Sequence, residues 1–269
     1  MNSDSWLRSR SEILGRNGVE SPRLDCVLML ERVLHIDRAQ LYAHLDENLS
    51  SLQLAALEVL FARRYKHEPM AYILGSVEFY GRRFSVNEHV LVPRPESEDI
   101  ITLVKDQSPI DTLLDIGTGS GALAITAALE TRTSHVYGID IDPACITVAQ
   151  NNGATYNTPV TFVVSDLLSD WQSEHVAEHI GIMANLPYVP DDYPINSAAR
   201  HEPALALFSG PDGLNHYRKL FAQLPTATAW IVCESLEQQH EPLAELASEH
   251  GLVLSDTRGL AQLFRPHSE

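Results

Sequence analysis

The feature that most narrows the fold is an alternation that begins at Asp111. Short apolar runs, Thr112 to Ile116, Val136 to Ile139, Val160 to Val164, Ile180 to Ala184 and Ala229 to Val232, are separated by helical stretches. That pattern predicts a doubly wound α/β sheet. Ligands in such sheets bind beyond the carboxyl ends of the strands, so the residues just after each run are where chemistry belongs.

Upstream the texture differs. From Ser5 to about Ile73 apolar residues recur three and four apart, as in Leu24, Val27, Leu30 and Leu34, or Leu54, Leu57, Leu60 and Phe61. This predicts short helices in a small bundle, with Ser50 at a helix start. Between Tyr72 and Val92 the pattern turns to strands: Val77, Phe79 and Tyr80, then Gly81-Arg82-Arg83, then Phe84, Val86, Val90 and Val92. A hairpin between two domains is expected. Pro93-Arg94-Pro95 then fixes an extended backbone, and Glu96, Glu98 and Asp99 load acid onto the first turn of a following helix. The expected division is a helical domain over 1–74, a connecting hairpin over 75–92 and the α/β domain over 93–269.

The first α/β run leads into Asp115-Ile116-Gly117-Thr118-Gly119-Ser120-Gly121, and a helix follows from Ala122. Glycines there let the backbone turn tightly and approach a ligand closely, which points to a nucleotide-like molecule. The same glycines also satisfy a relaxed dinucleotide fingerprint, so this loop alone leaves a nicotinamide or flavin cofactor open. Asp115 weighs toward S-adenosylmethionine, because a carboxylate sits badly against a pyrophosphate and well against the ammonium of a methionine moiety. Asp140, at the end of the second run, is placed to accept from ribose hydroxyls. At the end of the third, Asp166 is a candidate acceptor for an adenine amino group and Leu167 a cover for the ring, against the plainer reading of a turn or cap. Asp142, before Pro143, reads as a helix cap.

The fourth run delivers Asn185-Leu186-Pro187-Tyr188 to the same edge. A planar nitrogen has its lone pair delocalised, so methylating it requires desolvation, two hydrogen-bond acceptors and alignment with the S–CH₃ axis. Asn185 Oδ1 and the Leu186 carbonyl are candidate acceptors, Pro187 stiffens the turn, and Tyr188 offers a face for a flat group. The nitrogen becomes cationic only as the bond forms, so no general base is required. These four residues are the candidate catalytic and substrate-binding set, and Asn185 also belongs to the candidate cofactor set.

Charge and cysteine usage limit the partners. The chain of 269 residues carries 19 Lys+Arg against 36 Asp+Glu, a formal charge of −17. That repels phosphate backbones, so direct nucleic-acid binding is not expected. The basic residues Arg63, Arg64, Lys66, Arg82 and Arg83 read as a solvated face. Cys26, Cys145 and Cys233 are far apart among apolar neighbours, which suits buried thiols in a reducing cytoplasm. No metal-ligand spacing and no membrane-spanning run is visible, and a cytoplasmic monomer is expected.

With those residues in hand, the chain resembles the release factor glutamine methyltransferases, the PrmC or HemK family. The matching segments are Glu68-Pro69-Met70-Ala71-Tyr72-Ile73-Leu74-Gly75, Glu78-Phe79-Tyr80-Gly81, Val90-Leu91-Val92-Pro93-Arg94-Pro95-Glu96-Ser97-Glu98, the glycine loop, Glu202-Pro203 and Gly210-Pro211-Asp212-Gly213-Leu214. The resemblance implies a class I S-adenosylmethionine-dependent methyltransferase, a seven-stranded doubly wound sheet with an N-terminal helical domain that docks release factors. It implies methylation of the glutamine in their Gly-Gly-Gln loop. On that transfer Gly117 to Gly121, Asp140, Leu167 and Asn185 contact the cofactor, and Asn185 to Tyr188 grip the glutamine amide. Two positions depart from the family pattern: Leu186 stands where Asn-Pro-Pro-Tyr has its first proline, and Leu167 where an aromatic residue is common. A rival reading, an N6-adenine methyltransferase acting on DNA or RNA, uses the same tetrapeptide logic, and the net charge argues against it. A catalytically silent cofactor-binding module is the other alternative.

Overall fold

The computed structural model describes residues 1–171 and 179–267. It divides into two compact units, one of Met1–Gly75 with Ile195–His201, the other of Ser76–Pro194 with Glu202–Glu269.

The first unit holds α1 (Ser3–Arg16), α2 (Pro22–Leu34), α3 (Arg38–Ala43), α4 (Ser51–Tyr65) and α5 (Met70–Leu74). Helix α4 starts where the sequence places it: Ser50 Oγ accepts from the Gln53 amide, and Gln53 Oε1 accepts from the Ser50 amide. This reciprocal cap satisfies two backbone donors that a helix start otherwise leaves open. Trp6, Leu7, Cys26, Leu30 and Leu57 meet in the centre. Each such large side chain contributes ~1.5–3 kcal/mol by leaving water. The basic residues are not a uniformly solvated face. Arg64 Nε donates to Asp25 Oδ2 over 2.6 Å with both side chains mostly buried, and Arg63 forks onto Glu68. Two acids drawn inward hold those guanidinium groups in place. The segment 195–201 is tied in by His201, whose Nε2 lies 2.8 Å from the Lys66 carbonyl oxygen.

The second unit opens with the hairpin β1 (Ser76–Phe79) and β2 (Arg82–Ser85), paired antiparallel. Phe79 and Phe84 are buried, edge to face. The strand was expected to run on through Val86, Val90 and Val92, but β2 stops at Ser85. There Asn152 takes both backbone groups, donating to the Ser85 carbonyl over 3.0 Å and accepting its amide over 2.8 Å. One side chain thus replaces a strand partner, and the three valines are buried without a ladder.

After α6 (Glu98–Lys105) come β3 (Thr112–Ile116), α7 (Ala122–Glu130), β4 (His135–Asp140), α8 (Pro143–Tyr156), β5 (Val160–Val164) and β6 (Ile180–Ala184). Then follow α9 (Asn215–Phe221), β7 (Thr228–Glu234), α10 (His240–Glu249), β8 (Leu252–Arg258) and β9 (Ala261–Pro266). Seven strands lie in the order β5-β4-β3-β6-β7-β9-β8, parallel except for the antiparallel β9 with its two neighbours. The doubly wound sheet expected from the apolar runs is present. Those runs are continuous because both faces are covered: Leu114, Ile182 and Ile231 pack on one side, Leu113, Met183 and Val232 on the other.

Strand order reverses between β3 and β6, and the crevice at such a reversal is where open α/β sheets bind ligands. All three cysteines are free and buried. Burial pushes the Cys26 thiol up to about 11 and the Cys145 thiol to about 12, and holds Cys233 well above the usual thiol range.

Candidate active site

The loop after β3 is held by its neighbour strand. The amides of Gly117 and Thr118 both donate to the Ile139 carbonyl, over 2.8 and 2.9 Å. Gly117 and Gly119 have φ of +74° and +53°, a region that costs other residues dearly. A Cβ on Gly117 would press on the Leu186 side chain at 3.1 Å, so the glycine also lets the loops after β3 and β6 close on one another.

Asp140 anchors this arrangement. Its Oδ2 accepts from the Gly119 amide over 2.8 Å and its Oδ1 from the Asp142 amide over 3.0 Å. Burial pushes its pKa up, and the two amide donors oppose the shift. Each carboxylate oxygen keeps a further lone pair, so Asp140 can still accept from a ligand. Asp142 caps α8 as its sequence suggests, accepting from the Ala144 amide over 2.8 Å.

A cleft of about 850 Å³, its open mouth included, lies against these residues. Among the sequence-derived candidates it brings together Gly117, Gly119, Asp140, Asp166, Leu167, Asn185, Leu186 and Pro187. A smaller adjoining cavity adds Thr118 and Ser120. Leu167 sits in the left-handed region at φ +54°, unusual for a leucine and nearly buried. Non-glycine strain of this kind costs of order 1–3 kcal/mol and concentrates at ligand sites.

Three candidates lie outside both cavities. Asp115 is wholly buried: its Oδ2 accepts from Thr118 Oγ1 over 2.6 Å and from the Ala124 amide over 3.1 Å. Its Oδ1 has no partner among the described residues, and burial pushes its pKa up to about 7. It therefore braces the loop and the first turn of α7 from beneath. Gly121, with φ +78°, starts α7, and a Cβ there would crowd Ala149 and Ile125 at 3.1 Å. Tyr188 packs its ring against the core cluster containing Leu186 and Tyr217.

The structure also brings in residues not singled out from sequence. Asn185 Nδ2 donates to Ser97 Oγ over 2.8 Å, and Tyr188 Oη donates to Glu234 Oε1 over 2.9 Å. Glu234 closes β7, so the rule that located Asp140 and Asn185 applies to it equally. Gln239 Nε2 donates to the Tyr188 and Asp212 carbonyls over 2.8 and 2.7 Å, fixing the end of the tetrapeptide. His216 also lines the cleft. Ser209 Oγ accepts from the His216 amide over 3.0 Å and lies 2.6 Å from Nδ1, which holds the ring in place. Burial lowers the His216 pKa, which favours the neutral ring. Nothing in the sequence marks that pair.

Comparison with known proteins places this geometry among methyltransferases. Residues 5–75 match the PrmC N-terminal domain family, and residues 100–186 match the ribosomal protein L11 methyltransferase (PrmA) family. The chain is similar to the release factor glutamine methyltransferase of Bacillus anthracis, at 33% identity over 97% of this chain and 91% of that protein. It is 35% identical to that of Koribacter versatilis, over 90% of each. Among solved structures, the hMettl16 catalytic domain in complex with MAT2A 3'UTR hairpin 1 has a TM-score of 0.55 at 17% identity, covering 82% of this chain and 86% of that one. That last likeness is one of fold.

Proposed function

The chain belongs to the release factor glutamine methyltransferases, and on that premise we propose that it methylates the side-chain amide nitrogen of the glutamine in the Gly-Gly-Gln loop of peptide chain release factors. The observation that carries this reading is the meeting of two loops at the sheet's reversal. Asn185 lines the main cleft and the adjoining cavity, and its carbonyl oxygen lies 3.8 Å from where a Gly117 Cβ would be. A nitrogen held by Asn185 thus stands beside the glycine loop.

The donor set fits S-adenosylmethionine. Asp140 has free lone pairs for ribose hydroxyls, Gly117 and Gly119 present bare backbone, and Leu167 offers an apolar surface for an adenine. When bound, S-adenosylmethionine supplies a methyl group on a sulfonium, an electrophile that needs no activation from the protein. The chain's own part is orientation. Asn185 Oδ1 and the Leu186 carbonyl accept the two N–H hydrogens of the glutamine amide, which fixes the plane of the group and draws electron density onto its nitrogen. Pro187 keeps the two acceptors at a constant separation, and Leu186, nearly buried, excludes water. The proton acidified by methylation leaves to water.

The helical unit is the expected docking surface for the release factor, supported by the match of residues 5–75 and by the exposed Leu52 and Val59, seven apart on α4. Among the described residues no helix is long and apolar enough to cross a membrane. The test is methyl incorporation from labelled S-adenosylmethionine into a release factor and into its Gln-to-Ala loop variant. Label in the variant, or in neither protein, overturns the reading.

A further inference from the structure

Two segments that the transfer described above leaves without a task meet at a single carboxylate. Glu202, whose side chain is only 1% exposed, accepts from the Arg94 guanidinium over 2.5 Å with Oε1 and from the Val92 amide over 3.3 Å with Oε2. Val92, Arg94 and Glu202 each stand directly before a proline. A residue in that position is confined to extended backbone, as it is at Arg94, with φ −100° and ψ 143°. The three groups therefore meet with little freedom left to lose, and the charge on Glu202 is matched where burial would otherwise make it costly.

The contact joins two walls of the cleft. Leu91 lines it beside Val92, and Pro203, Leu205 and Ala206 line it just after Glu202. The segment 202–209 is pinned at its other end as well. The Val189 amide donates to the Leu207 carbonyl over 2.9 Å, and the Ser209 amide to the Val189 carbonyl over 3.0 Å. Val189 directly follows the tetrapeptide. Residues 203–206 thus form a strap along the cleft, tied by backbone bonds at one end and by an ion pair at the other. Leu205, on that strap, leaves 57% of its surface exposed, apolar area open to a ligand. Of the two ties, the ion pair is the one that a side-chain change can undo.

We propose that Arg94 and Glu202 are positioning residues which latch the 203–206 strap against S-adenosylmethionine and so set how long the cofactor stays in the cleft. The inference rests on the reading that the cofactor occupies this cleft.

The test compares the wild type with R94M, E202Q and R94M/E202Q. Binding of S-adenosylhomocysteine is measured by calorimetry, its dissociation rate by stopped-flow displacement, and methyl transfer over a range of S-adenosylmethionine concentrations. R94M leaves a buried carboxylate facing an apolar stem. It is expected to release S-adenosylhomocysteine about tenfold faster, with a matching rise in the dissociation constant and in KM for S-adenosylmethionine. At saturating cofactor, kcat and the KM for the release factor are expected to stay within about threefold of the wild type. E202Q is expected to weaken binding in the same way, because its NH₂ must face one of the two donors. In R94M/E202Q that NH₂ faces no guanidinium and no charge is buried, so the double variant is expected to bind more tightly than R94M. A role confined to general stability would make the two losses add.

A wild type that binds no S-adenosylhomocysteine overturns the underlying reading, and this inference with it. Binding by the wild type, with an unchanged dissociation rate in R94M, overturns this inference alone. So does a fall in kcat at saturating cofactor without a change in KM for S-adenosylmethionine, or a double variant that binds more weakly than R94M. Should R94M fail to fold, E202Q decides by the same measurements, and an unchanged dissociation rate there is fatal.

Discussion

Gly213 stands so close to Tyr188 that a Cβ added to it would lie 2.1 Å from the Tyr188 carbonyl oxygen. The same methyl group would meet Gln239 Nε2 at 2.3 Å, and its backbone would be strained at φ +79°. Gly213→Ala therefore displaces the residue that ends the tetrapeptide. We expect a loss of ~2 kcal/mol or more in stability by urea unfolding, together with slower methyl transfer. A variant as stable and as fast as the wild type would show that the Tyr188 backbone does not depend on this close approach.

Asn185→Ala removes the side-chain acceptor but leaves Gly117, Gly119 and Asp140 in place. Transfer is expected to fall by about 10²–10³, the usual cost of one lost electrostatic partner in a reacting site. S-adenosylmethionine affinity should stay much closer to that of the wild type. Equal losses in calorimetric affinity and in rate would contradict its place at the substrate nitrogen.

Asp140→Ala should have the opposite profile. The carboxylate fixes the Gly119 amide and is the proposed acceptor for ribose, so S-adenosylmethionine affinity is expected to drop about tenfold to a hundredfold. Saturating cofactor should restore much of the rate. An unaltered dissociation constant would sink the assignment.

The folded protein holds the Asp115 carboxyl at about 7 against an ordinary 3.8, because burial disfavours the charged form. The native state therefore binds more protons than the unfolded chain between those two values. The stability contributed by the protonated acid is fully present below pH 3.8 and is lost as pH rises to about 7. Asp115→Asn does not titrate and keeps an acceptor for Thr118 and Ala124. Its stability relative to the wild type should rise by up to ~4 kcal/mol from pH 4 to pH 7.5. Unfolding in urea across that range measures the difference, and a flat result would mean that Asp115 stays charged.

Much of this was legible in the sequence because two local rules dominate it. Runs covered on both faces, such as Leu113-Leu114 in β3, are continuously apolar, so strand positions and sheet class follow from pattern alone. The rule that ligands gather at strand ends pointed to Asp140 and Asn185, and both line the cleft. Less legible were contacts between distant segments. Nothing near Asn152 signals that it will replace the partner of Ser85, 67 positions away. Asp115 was identified by its place at a strand end, yet whether a side chain there points into the cleft or beneath it depends on strand twist, which spacing does not encode. Nor does anything near Leu186 signal that its side chain fills the space that Gly117 leaves open.

The three buried cysteines give the molecule an internal reporter of its own unfolding. Alkylating reagents attack the thiolate, so at neutral pH Cys26, Cys145 and Cys233 stay unmodified while the fold holds them. Cys26 lies in the helical unit and the other two in the sheet unit. Mass spectrometry of a chain labelled during denaturant titration can therefore time the opening of each unit separately, with no engineered probe. The spacing between those times measures how far the two halves share one cooperative transition.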